Sequence, residues 1–302
     1  MGPSYTPIQN RTAFDFVDTL LEAQDGAHYE SAGALGHGER IWTLARVPYD
    51  ITIKGTDDKS LVYLLFTTAH DGSQAATCKL STVRVVCMNT LNAALSGAGA
   101  AMKVRHTKDA AVKMLQAKKA MTGVMLDAKM LEEKLNLLAT RRLTKDTMLT
   151  VLDRLFPKPV ILAGDDAAAA GKVAAATRRD NVVLAVLKLF EKNDGDRIPE
   201  IRGTAYNLLN AVTEYTDHER QTRILTDGQT MEQARAVNSM FGTGADFKSE
   251  ALDTILTHTV DSPTHSRQTY GGGVAVAEAV ETTSGPSQAD VDAEVERILR
   301  AS

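Results

Sequence analysis

The sequence predicts an α+β fold: an antiparallel β-meander preceded by a helix and followed by a mostly helical C-terminal half. Three observations carry that reading. Residues 40–87 contain apolar, β-branched runs broken by turn residues. The segments before and after them carry apolar residues at three- and four-residue spacing, the period of a helix. Strands also precede helices instead of alternating with them, which argues against a parallel doubly wound sheet.

Residues 1–10 read as irregular. Asn10 caps a helix from Arg11 that buries Phe14, Val17, Leu20 and Leu21. Gly26, Gly33, Gly36 and Gly38 mark a turn-rich stretch. The first strand is Ile41 to Val47, stopped by Pro48, and Ile51 to Ile53 is a short second one. Ser60 to Ala69 is a strand with both faces covered, because its apolar residues are consecutive. His70-Asp71-Gly72-Ser73 is a hairpin turn, and the chain returns as strand from Ala75 to Cys87. Leu91 to Leu95 reads as a short helix, and Met102 to His106 as extended chain. Thr107 starts a long helix whose apolar seam holds Val112, Leu115, Val124, Ala128, Leu131, Leu135 and Leu138. Thr144 caps a helix ended by Pro157 and Pro159. Residues 163–176 read as a linker or weak helix, followed by helices over 181–192, 204–220 and 230–261, the last broken near Gly242 and Gly244. The expected organisation is an α+β core over 1–160, a helical region over 161–261, and a flexible linker with a terminal helix over 262–302.

Composition narrows the function. Of 302 residues, 43% are hydrophobic, enough for a core. No apolar run approaches the ~18 residues of a membrane span. No basic-then-apolar leader opens the chain. Two cysteines, Cys78 and Cys87, are too few for a disulfide framework and read as core thiols in a reducing cytoplasm. Thirty-four basic residues against 38 acidic give a net charge of -4, so any affinity for nucleic acid must come from a local strip.

Most chemical motifs dissolve on inspection. His70-Asp71 has the composition of an acid–base pair, but Asp and Gly there serve the turn. The seven histidines lack metal-ligand spacing, and no cofactor is expected. Gly33-Ala-Leu-Gly36-His-Gly38 lacks the Lys-Ser/Thr of a phosphate-binding loop and precedes a strand. Asp165-Asp166 and Asp194-Gly195-Asp196 lack the ligand ladder of a calcium loop. Trp42 and Tyr63 suit base stacking, but aromatics in strands of this kind are more often core. The segment 103–119 stands apart. Lys103, Arg105, His106, Lys108, Lys113, Lys118 and Lys119 face one acid, Asp109. Such a strip suits a groove that tracks a phosphate backbone, with Arg84 and also Arg40 and Arg46 adding cations from the sheet.

Several stretches carry a resemblance. Tyr5-Thr6-Pro7-Ile8-Gln9-Asn10, Gly38-Glu39-Arg40-Ile41-Trp42, His70-Asp71-Gly72-Ser73, Val83-Arg84-Val85-Val86-Cys87-Met88-Asn89-Thr90-Leu91 and Arg105-His106-Thr107 resemble the phage/plasmid-like protein family, also called DUF932. The resemblance covers roughly residues 5–260 and implies a phage or plasmid setting, with no catalytic residues to carry over. Longer members carry a preceding Trp-His-Gly element, so this chain is expected to be shortened or trimmed. In outline, a meander leading into a helix with cations behind it is similar to the Rad52-like and RecT-like annealing proteins, which form rings or filaments on one strand.

The expected function is therefore a non-catalytic, cytoplasmic DNA-metabolism protein that binds single-stranded DNA, works as a homo-oligomer and anneals strands. Its nucleic-acid-binding residues are Lys103, Arg105, His106, Lys108, Lys113 and Arg84. The alternative is a phage-encoded structural or host-interaction protein that binds another phage or host protein and no nucleic acid.

Overall fold

Apolar residues at helical spacing wind Asn10–Glu22 into α1, which turns Ala13, Phe16, Val17, Leu20 and Leu21 inward. The inward face holds Phe16, not Phe14, which is only half-buried. In this computed structural model the described residues are 5–22, 25–35, 37–85, 90–93, 101–110, 112–113, 124–159, 166–192, 198–224 and 229–259. At the expected start of the long helix, Ala110 N–H donates to Thr107 O and Lys113 N–H to Asp109 O. Val112 is exposed there and not part of an apolar seam. The expected linker and terminal helix after residue 261, together with Cys87, Leu115, Lys118, Lys119 and Asp194 to Asp196, lie outside the described residues.

Among the described residues, six strands form one antiparallel sheet: β1 His28–Leu35, β2 Arg40–Thr52, β3 Lys59–Ala69, β4 Ala76–Arg84, β5 Thr90–Ala93 and β6 Ala101–Val104. The order is β1-β2-β3-β4, with β5 and β6 pairing successive lengths of the same edge of β4. Directly opposed residues share a face. The row Gly33, Trp42, Thr67, Thr77, Lys103 therefore lies on one side of the sheet. Phe66 lies on the other, where Phe16 of α1 meets it at 6.1 Å between ring centroids. β3 is buried on both faces, as its unbroken apolar run predicts.

Three strand readings change. The glycine-rich stretch after Gly26 contains a full strand, β1, instead of turns throughout. Its side chains are mostly exposed, so it lacks the apolar alternation that marks a half-buried strand. Pro48 does not stop β2. It sits where the register with β3 shifts between Arg46 and Asp50, an irregularity that tolerates its missing N–H. The expected helix over 91–95 is strand where it is described: Thr90–Ala93 is β5, drawn into extended form by the edge of β4, with Leu91 buried.

The described residues after the sheet are mostly helical: α2 Val124–Thr140, α3 Lys145–Leu155, α4 Asp166–Glu191, α5 Ala205–Glu214, α6 Met231–Phe241 and α7 Thr243–Thr259. Thr144 caps α3 by accepting Thr147 N–H at 3.2 Å. Thr230 and Gln233 form a capping box on α6. The alanine-rich stretch from Asp166 joins α4 as one helix of 26 residues. A π-helical turn, Tyr215–Glu219, follows α5.

By contacts the chain forms two compact units, each built from two stretches of sequence. One holds 1–133 and 222–245, the other 134–221 and 246–302. The first contains the sheet, with α6 placing Phe241 against Trp42 at 6.1 Å. The second has its core in Leu143, Met148, Leu152, Val186, Leu187, Leu208 and Ile255. Among the described residues, no helix is long and apolar enough to cross a membrane.

Candidate functional site

Lys103 lies at the end of its cross-strand row on β6, exposed, and Arg105, Lys108 and Lys113 follow it, all exposed. None of these four makes an ion pair with another described residue. Asp109, the acid between them, is itself exposed. Four uncompensated cations over eleven residues can hold a polyanion by counterion release, without reading its sequence.

Two residues expected in that strip do not belong to it. Arg84 is buried, with 4% of its side chain exposed, and it pairs with Asp58, which is fully buried. Its Nε donates to both Asp58 carboxylate oxygens at 2.8 Å. The physical reason is position. Arg84 shares the inward face with Thr82 and Leu80, and a guanidinium carried there must be matched by a charge. No neighbouring residue signals this burial, since Val83 takes the opposite face of the strand and Val85 is 52% exposed. His106 is buried as well. Its Nδ1 accepts Ile8 N–H at 3.0 Å, and its Nε2 meets Thr68 Oγ1 at 3.0 Å. An acceptor at Nδ1 fixes the proton on Nε2, which then donates to Thr68. Burial and the neighbouring His70 hold its pKa below the ordinary imidazole value. It is a neutral structural pin and not a phosphate contact.

The remaining sheet arginines are also engaged. Arg46 fills the β2 irregularity, donating to Tyr49 O at 3.1 Å and Val62 O at 3.0 Å, pairing with Asp50, and lying 5.6 Å from the Tyr63 ring. Arg40 donates to Ser73 Oγ at 3.3 Å. Tyr63 is core, and its hydroxyl donates to Glu30 at 3.0 Å. Trp42 is half-buried between Gly33 and Phe241.

Sequence reasoning missed that three separated stretches meet. Thr6 N–H donates to His106 O at 3.1 Å, and Tyr5 stacks on His106 at 5.3 Å. The Tyr5 hydroxyl donates to His70 O at 2.7 Å, and the His70 ring hydrogen-bonds Asn10. Beside this knot is a cleft of about 580 Å³ lined by Tyr5, Pro7, Gln9, Asn10, Arg11 and His70. Asp71 accepts Ser73 N–H at 2.9 Å, and its carboxyl is held below the usual range by Ser73 and, less, by Arg40. The His70-Asp71 pair thus does the work of a turn, with Gly72 at φ 77° supplying the left-handed residue. Among the described residues, no group of three or more His, Cys, Asp or Glu could hold a metal ion.

Residues 1–239 match the family model described as a domain of unknown function, DUF932. The chain belongs to this family. No curated protein and no solved structure matches it. Three of the stretches that carry the DUF932 resemblance, Tyr5 to Asn10, His70 to Ser73 and Arg105 to Thr107, converge at the knot. The DUF932 match also ends inside α6, so it takes in Trp42 of the sheet and stops two residues short of the Phe241 packed against it.

Proposed function

We propose that this DUF932 chain binds single-stranded DNA without catalysis, in the cytoplasm, through Lys103, Arg105, Lys108 and Lys113. One observation carries the reading. These four are exposed and free of acidic partners among the described residues, whereas Arg46, Arg84, Arg179 and Lys248 are all spent on acids. The strip is anchored, because Lys103 is in β6 and His106, inside it, is pinned to Ile8 and Thr68. A homo-oligomer would lengthen the strip, and a strand held by its phosphates leaves its bases free to anneal. Phage or plasmid DNA metabolism is the setting that fits.

The test is fluorescence anisotropy with labelled oligonucleotides across a salt series. Four phosphate contacts on a single strand give a log–log slope of about -3, and replacing Lys103, Arg105 and Lys108 together flattens it by about 2. No binding at low salt removes the proposal. A second reading, a phage-encoded structural or host-interaction protein, draws on Leu126 and Met130. They lie one turn apart on α2, and Leu126 is 62% exposed. It gains if oligonucleotides fail to bind.

A further inference from the structure

β1 is hydrogen-bonded to β2 on one side and, among the described residues, to no strand on the other. An edge of this kind presents a row of unpaired N–H and C=O groups. Proteins commonly blunt such edges with lysine, proline, a bulge or a cover. β1 holds no lysine, arginine or proline. Its one irregularity lies between Tyr29 and Ser31, so Ser31 to Leu35 run in unbroken register with β2. Those five residues are uncharged and small apart from Leu35, and Ser31, Ala32 and Ala34 are exposed.

We propose that the Ser31–Leu35 edge is an interface for a second copy of this chain, paired antiparallel about a two-fold axis at Gly33. The occupant is argued from charge and shape. A two-fold pair sets each residue against its mirror position. Centring on Gly33 places Gly33 opposite Gly33, Ala32 opposite Ala34 and Ser31 opposite Leu35, using the whole regular length with no like charges opposed. A centre shifted toward Glu30 would oppose two carboxylates, and it would also meet the irregularity at Tyr29. The resulting sheet, with six described strands from each copy, is isologous and closes at two copies through this edge. This inference stands apart from DNA binding, since none of Lys103, Arg105, Lys108 or Lys113 is on β1.

The experiment uses the full chain and a pair of complementary variants. Ala32→Lys with Ala34→Lys puts like charges opposite each other at both mirror positions, as does Ala32→Glu with Ala34→Glu. Both sites are exposed, so the monomer fold tolerates them. Sedimentation across a concentration series should show the wild type as a dimer and each charged variant about tenfold or more weaker in self-association. Mixing the two variants should restore a dimer, because each lysine then meets a glutamate. Amide hydrogen exchange on the wild type gives a reading without substitution: protection at 31–35 should rise with protein concentration. A wild type that stays monomeric, variants that dimerise as well as the wild type, or a mixture that fails to associate would each overturn the proposal.

Discussion

An imidazole that accepts a hydrogen bond at one nitrogen and donates from the other has no room for a second proton. His106 is in that position between Ile8 and Thr68. Its folded pKa lies below its ordinary value of 6.5, so the unfolded chain takes up the proton first. The stabilisation is complete above about pH 6.5 and is lost as pH falls through that value toward the folded pKa. Thermal melts from pH 8 to pH 5 should show a falling midpoint in the wild type, and His106→Gln, which keeps an acceptor and a donor, should show a smaller fall. Equal falls would refute the pin. Arg84 and Asp58 make the parallel case with charge. Asp58→Ala leaves a buried guanidinium unmatched and should cost about 3–5 kcal/mol in urea unfolding. Arg84→Met, compared with it, tests stability without touching the exposed strip, so the slope of oligonucleotide binding against salt should not change. Cys78 shows burial acting on a thiol, with its pKa pushed up to about 12.

Elements were legible in proportion to how much of them is buried. β3, α3 and the cap at Thr144 follow from apolar runs and a hydroxyl position that leave few alternatives. β1 was hidden because an exposed edge strand needs no alternation, and β5 because Thr90 to Ala93 is short and takes its form from β4. The candidate site was half legible for the same reason. Charge density located Lys103 to Lys113, but nothing local in Arg84 or His106 reveals that Asp58, Ile8 and Thr68 arrive from elsewhere in the chain. Gly33 is the element-scale test. A Cβ there would lie 2.9 Å from the Trp42 ring, so the glycine is needed for close approach and not for a turn. Gly33→Ala should displace that ring and cost about 1–3 kcal/mol. Trp42 is the sole tryptophan, so its emission reports the displacement directly. Unchanged emission and stability would show that the ring yields freely.

At the scale of the molecule, the acidic balance of the whole and the basic character of one stretch are compatible, because a strand of DNA senses the potential of the strip it lies on. Buried Asp58 is matched by Arg84, and buried Asp217 of the second unit by Lys248 at 2.5 Å, pairings that leave the acidic excess unchanged. Among the described residues, Lys103 of β6 and Arg105, Lys108 and Lys113 after it are exposed cations without an acidic partner. The central claim is that Lys103, Arg105, Lys108 and Lys113 grip a phosphate backbone. The most direct measurement is the salt dependence of single-stranded oligonucleotide affinity for the wild type and for the protein with Lys103, Arg105 and Lys108 replaced by alanine. The account predicts a wild-type slope near -3 that falls to about -1 in the variant while its melting midpoint is unchanged. A wild type with no affinity at low salt, or a folded variant with the same slope, would contradict it.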